Sequence, residues 1–244
     1  MILRRLSTSL KEQNWTAIWI EFVLLVAGVF IGIQVANWNE ARRDRVLARQ
    51  YLERLREDFV LSVSGAEDSN VALEKQAGLA SLMLERLRAC RLDDRQRDAF
   101  AEGLYRLGRQ EPPMLTRGTL DELGSTGRLG IIRSVRLRRA LSKVVQRQER
   151  TAKVFDIILA RRTQPLGYID ARSTFLVPEH YDGPLKAGQI LFDFQALCGD
   201  PVYINAVSHL RQSVYVVIGQ NRALIGDYLA MVKQLDAELA KQSD

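Results

Sequence analysis

The sequence predicts an all-α fold: an N-terminal transmembrane helix continuous with the first long helix of an antiparallel helical bundle. Three observations carry this reading. Residues Ala17 to Trp38 form one apolar run, A-I-W-I-E-F-V-L-L-V-A-G-V-F-I-G-I-Q-V-A-N-W. Beyond it, long segments repeat apolar residues every three to four positions, the spacing of one helix face. No segment alternates apolar and polar residues as a half-buried strand does.

The chain divides into a short basic tail (1–15), a spanning helix (16–38) and a helical-bundle domain (39–244). At ~1.5 Å per residue the apolar run reaches ~33 Å, enough for a hydrocarbon core of ~30 Å. All of the tryptophans, Trp15, Trp19 and Trp38, lie near its ends, where amphipathic rings favour the interface. No Pro or Gly interrupts 39–63, and Ala48, Leu52, Leu55 and Phe59 recur at helical spacing, so one helix is expected from Thr16 to Val63. Gly65 and the polar run Glu67 to Asn70 predict a turn. A second helix follows over Val71 to Ala89, with Leu73, Ala77, Ala80, Leu84 and Leu87 on one stripe, and a shorter one over Asp94 to Leu107, before Pro112-Pro113.

Arg117 to Leu123 predicts a short helix closed by Gly124, and Val135 to Arg162 a long one carrying Leu137, Leu141, Val144, Gln148, Ala152, Phe155 and Leu159. Pro165 to Gly188 holds three of the six prolines and predicts an irregular loop. A small helix is expected over Gly188 to Cys198. The last helix, Val202 to Lys241, has a nearly strict heptad seam: Val207, Leu210, Val214, Val217, Asn221, Leu224, Tyr228, Met231 and Leu235. Four long amphipathic helices argue for the bundle.

The net charge of +6 is spread along the whole length, with arginines interleaved with acids as on solvated helix faces. No aromatic-basic platform accompanies it, so no nucleic-acid partner is expected. Attraction of the juxtamembrane arginines to anionic lipid fits better. A cleaved signal peptide is the rival reading of the N-terminus, with Arg4, Arg5 and Lys11 as its charged region. Glu21 interrupts its apolar core and no clean A-x-A site follows, which favours an uncleaved anchor in the bilayer. Arg4, Arg5 and Lys11 on one side barely differ in count from Arg42, Arg43, Arg45 and Arg49 on the other. Cys90 and Cys198 can bridge in an oxidising compartment or remain two buried thiols. The simplest insertion leaves the basic tail in the cytoplasm and the large domain in the periplasm.

Glu21 is the residue most in need of explanation, because an acid inside a spanning segment is costly. At ~100° per residue, Gly28 and Gly32 fall within ~20° of it and Ala36 within ~60°, so acid and small residues share one face. Gly28-V-F-I-Gly32 is a G-x-x-x-G pattern that lets another helix approach closely. Glu21 then serves one of three roles: snorkelling to the headgroups, hydrogen-bonding across a helix contact, or lining a proton or ion path. Asn37, Asn39 and Glu40 around Trp38 fit an interfacial cluster that sets anchor depth. Asn221 and Gln148 are polar residues on apolar seams and candidate partners for each other. Glu179-His180-Tyr181-Asp182 matches no metal-site spacing, and Gly124-S-T-Gly127-R-L-Gly130 lacks the preceding strand and following lysine of a phosphate cradle. No metal or cofactor is expected. Nor does any nucleophile–base arrangement point to an enzyme.

The segment from Glu21 through Gly28, Gly32 and Gln34 to Asn37-Trp38-Asn39-Glu40 resembles a bacterial family of single-span membrane proteins of unknown function. Its members carry an acid before the apolar run and an N-W-N-E motif after it. A second point of similarity is T-L-D-E-L-G-S-T-G-R-L-G-I-I, Thr119 to Ile132, followed by L-R-R-A-L. The resemblance implies an inner-membrane protein with one N-terminal span and a helical domain, and supplies no catalytic residue. The sequence thus leads to a non-enzymatic scaffold or sensor-like module that self-associates as a homo-oligomer through its spanning helix, or pairs there with another membrane protein. The alternative is an ion- or proton-conducting or gating subunit using Glu21. A tethered enzyme with its site in the loop Pro165 to Pro184 is the third reading.

Overall fold

The computed structural model describes residues 15–109, 115–180 and 183–241. Its regular structure over these residues is six α-helices, two short 3-10 turns and one two-stranded sheet, so the fold is all-α. The elements are α1 (Trp15–Ala89), α2 (Asp94–Arg106), α3 (Gly118–Ser125), α4 (Val135–Asp170), β1 (Ser173–Phe175), β2 (Ile190–Phe192), α5 (Phe194–Cys198) and α6 (Pro201–Ala240). The basic tail before Trp15, Pro112-Pro113, and Tyr181-Asp182 lie outside the described residues.

Two compact units are present, Met1–Gln50 and Tyr51–Asp244. Within the first, α1 contains a stretch of mean hydropathy 2.1 with none of its residues buried. Among the described residues this is the helix long and apolar enough to cross a membrane. Its side chains contact one another locally, as where Trp19 meets Phe22 edge to face at 6.2 Å.

In the second unit the turn expected at Gly65 and Glu67–Asn70 does not exist, and α1 runs straight through it. A helical glycine costs about 1 kcal/mol relative to alanine, while Val63, Ala66 and Asn70 are buried at helical spacing on either side of Gly65. Burial on both flanks outweighs the local preference. The two helices expected over 16–63 and 71–89 are therefore one, and the long helices number three, α1, α4 and α6.

α6 is antiparallel to the other two. Against α1, Arg56 pairs with Asp236, Phe59 with Tyr228 at 5.8 Å and Glu74 with Arg222. Against α4, Arg147 pairs with Asp227 and Tyr168 with Asp200. It follows that α1 and α4 run parallel. Every residue of the heptad seam on α6 is buried, as are the predicted stripes on α1 from Ala48 to Phe59 and from Leu73 to Leu87. On α4 the stripe shifts by one: Thr151 is buried and Ala152 is exposed.

The region expected as a loop is shorter and more regular. α4 continues through Pro165 to Asp170. A proline inside a helix removes one backbone hydrogen bond and costs about 3 kcal/mol, so something must hold the last turn. The Tyr168 hydroxyl and Arg172 Nε both donate to Asp200 Oδ2, at 2.8 and 3.0 Å. The small helix expected over Gly188–Cys198 is instead strand β2 followed by α5. β2 pairs antiparallel with β1, Thr174 opposite Leu191. Three residues per strand are too few to show an alternating pattern in the sequence.

α2 folds back against α1 after Cys90, close enough that a methyl group on Gly103 would lie 2.6 Å from Met83 Sδ. Phe100 on its inner face meets Phe192 at a tilt and Phe194 edge to face, joining the hairpin to a core that includes Met83, Leu104, Ile190 and Tyr203.

Candidate functional site

In the first unit, Glu21, Gly28, Gly32 and Ala36 are all exposed, and a methyl group built on Gly28 or Gly32 would meet nothing within 4 Å. Among the described residues no neighbour covers this face. Asn37, Trp38, Asn39 and Glu40 are exposed beside it. Trp19 is exposed near the other end. The side chain of Trp15 lies outside the described residues.

The polar residues on the seams do not meet. Asn221 is fully buried and its Nδ2 donates to Ser69 Oγ on α1 at 3.3 Å. Gln148 instead accepts from the Tyr228 hydroxyl at 2.5 Å, and burial raises the pKa of that phenol. The predicted Asn221–Gln148 pair is thus replaced by two separate contacts, set by the seven residues (two helical turns) between Asn221 and Tyr228. Asn221 Oδ1 and Asn70 Oδ1 are buried without hydrogen-bond partners.

Cys90 and Cys198 are joined as a disulfide, with Cα atoms 5.1 Å apart, inside the normal span for such a bond. The bridge ties the end of α1 to the end of α5. Asp200, two residues on, caps α6 by accepting from Val202 N and Tyr203 N, with Pro201 in the first turn.

A second polar cluster sits where the T-L-D-E-L block meets α1. Tyr51 donates to Glu122 Oε1 at 2.7 Å, Arg54 to Glu122 Oε2 at 2.6 Å, and Asp58 Oδ2 accepts from Thr119 N at 3.0 Å. Ser62 Oγ accepts from Thr116 N. Tyr51, Arg54, Asp58 and Ser62 recur every three to four residues, so one face of α1 reads the block. The Arg54 guanidinium first, then the Tyr51 hydroxyl, hold the Glu122 carboxyl below the usual range for a glutamate.

On the outside of the α4–α6 pair lies an open groove of about 970 Å³. Val154, Ile157 and Val216 face it, together with Arg161, Arg162 and His209. Comparison with family models, with curated proteins and with solved structures finds no match to this chain.

Among the described residues no group of three or more His, Cys, Asp or Glu side chains is gathered as metal ligands. His180 is exposed on its loop and His209 stands on α6, facing the groove. Sequence reasoning missed both the Glu122 cluster and the groove. The first had a signal, the block Thr119 to Ile132 itself. The second had none, because it exists only where two helices lie side by side.

Proposed function

We propose that this protein is a non-enzymatic, single-span membrane scaffold or sensor-like module of the bacterial inner membrane, self-associating through the Glu21, Gly28, Gly32 and Ala36 face of α1. The observation that carries the reading is that this face is bare. It combines an acid with small residues, and none of the described residues covers it. In hydrocarbon a carboxyl is costly unless it finds a partner, and small residues permit the close backbone approach that helix pairs in membranes use. The resemblance of the Glu21 and N-W-N-E segments to a family of single-span membrane proteins points the same way. The Cys90–Cys198 bridge supports a periplasmic domain, because disulfides persist in oxidising compartments.

Single cysteines at positions 28 and 32, compared with positions 26 and 30 on the opposite face, test the contact by crosslinking in membranes. Selective crosslinking at 28 and 32 is expected, with Gly32→Leu shifting the protein toward monomer in mild detergent. Equal crosslinking on all faces, or none, reduces the anchor to a tether. Glu21→Gln separates the roles of the acid: assembly and function both survive if it acts as neutral glue, whereas assembly without function assigns it a proton or a cation. A C-terminal alkaline phosphatase fusion should be active. An inactive one, with a fluorescent fusion at the same site, reverses the topology.

A further inference from the structure

The groove between α4 and α6 is at the upper end of the size range of small-molecule sites. Its lining makes two demands on an occupant. One is hydrocarbon: Val154, Ile157 and Val216 stand 37%, 55% and 38% exposed within it. The other is negative charge. Three arginines and a histidine line the groove, and no Asp or Glu does. Two of the arginines are committed, Arg172 to Asp200 and Arg162 to the Gly108 carbonyl. Arg161 is exposed and has no acidic partner among the described residues.

The helix register arranges these features. Arg147 against Asp227 and Tyr168 against Asp200 fix α4 antiparallel to α6, which puts Arg161 level with His209 and Val154 level with Val216. The cationic level and the apolar strip are therefore adjacent along the groove. From Val154 to Arg172 the lined length is ~27 Å.

We propose that this groove binds a fatty acid, its carboxylate on Arg161 and its chain along Val154, Ile157 and Val216. A planar guanidinium matches a carboxylate in two parallel hydrogen bonds. A single apolar strip beside Arg161 suits one chain, not the two chains of a bilayer phospholipid. The inference is independent of how the anchor associates.

A photoreactive diazirine derivative of palmitic acid, added to the full-length protein in phosphatidylcholine nanodiscs, tests it, with adducts located by mass spectrometry. Saturable labelling is expected on peptides containing 154–158 and 213–216, competed by palmitate and not by hexadecanol. Arg161→Glu should reduce it about tenfold, and Arg161→Lys, which keeps the charge, by no more than about threefold. Ile157→Asp should also abolish it. Both sites are exposed, and unchanged circular dichroism and melting will show that the variants fold. Labelling that rises linearly with the probe, as partition into the bilayer around 19–38 would, overturns the proposal. So does equal competition by hexadecanol, or full labelling of Arg161→Glu. Blocking by phosphatidylglycerol nanodiscs but not by palmitate assigns the groove to a two-chain lipid instead. Crosslinking of Ile157→Cys between copies assigns it to a second chain, and either result overturns the fatty-acid site.

Discussion

The Tyr51 hydroxyl donates to Glu122 at 2.7 Å across 71 residues of chain, and Arg54 grips the other oxygen of the same carboxylate at 2.6 Å. This contact fastens α3 and the turn after it to α1. Glu122→Gln keeps an acceptor for Tyr51 and loses the charge facing Arg54, while Glu122→Ala loses both. Amide hydrogen exchange over 118–132 should quicken in that order. Acid should act likewise. The Glu122 carboxyl is held low in the folded state, so its contribution is complete above the ordinary glutamate value and fades as pH falls through the lowered one. Exchange that does not change with either substitution would mean that the packing of Leu123 and the hydrogen bonds of Asp58 and Ser62 hold the segment without Glu122.

Gly108 has φ of +77°, and a methyl group there would lie 2.5 Å from Leu166 on α4. Both the backbone conformation and the space require glycine. Gly108→Ala should destabilise the domain by about 2–4 kcal/mol, adding a left-handed backbone penalty to an overpacked contact. Denaturant unfolding measures it. A loss below about 0.5 kcal/mol would show that the backbone at 108 relaxes and that Leu166 yields as well.

Asn221 keeps one hydrogen bond, to Ser69, and leaves Oδ1 buried without a partner. Ser69 is only half-buried and can turn to water. Asn221→Leu therefore removes an unsatisfied acceptor from an apolar seam and should stabilise by about 1 kcal/mol, seen as a raised melting temperature. If stability drops by about 2 kcal/mol instead, the single bond to Ser69 outweighs the orphaned oxygen.

The Cys90–Cys198 bridge closes a separation of 108 residues. The double variant Cys90→Ser, Cys198→Ser should lose about 2–5 kcal/mol, chiefly through a freer unfolded chain. Reductant should shift the unfolding midpoint of the unaltered protein by a similar amount and leave that of the double variant unmoved. Identical midpoints with and without reductant would show that the bridge adds nothing to stability.

Periodicity located the buried faces of the long helices, because an amphipathic stripe is a local property of the chain. The seam from Val207 to Leu235 and the stripes on either side of Gly65 are buried as their spacing requires. The apolar stretch after Trp19 was equally legible. Only the tertiary structure decided whether α1 breaks at Gly65, since turn propensity there competes with burial against distant helices. It also decided that Asn221 meets Ser69 and Gln148 meets Tyr228. Those pairings depend on the relative rotation and register of helices far apart in sequence. The hairpin of β1 and β2 escaped notice because three-residue strands carry no pattern. The groove could not be read at all: Arg161 comes level with His209, and Val154 with Val216, only when α4 and α6 lie antiparallel at one register.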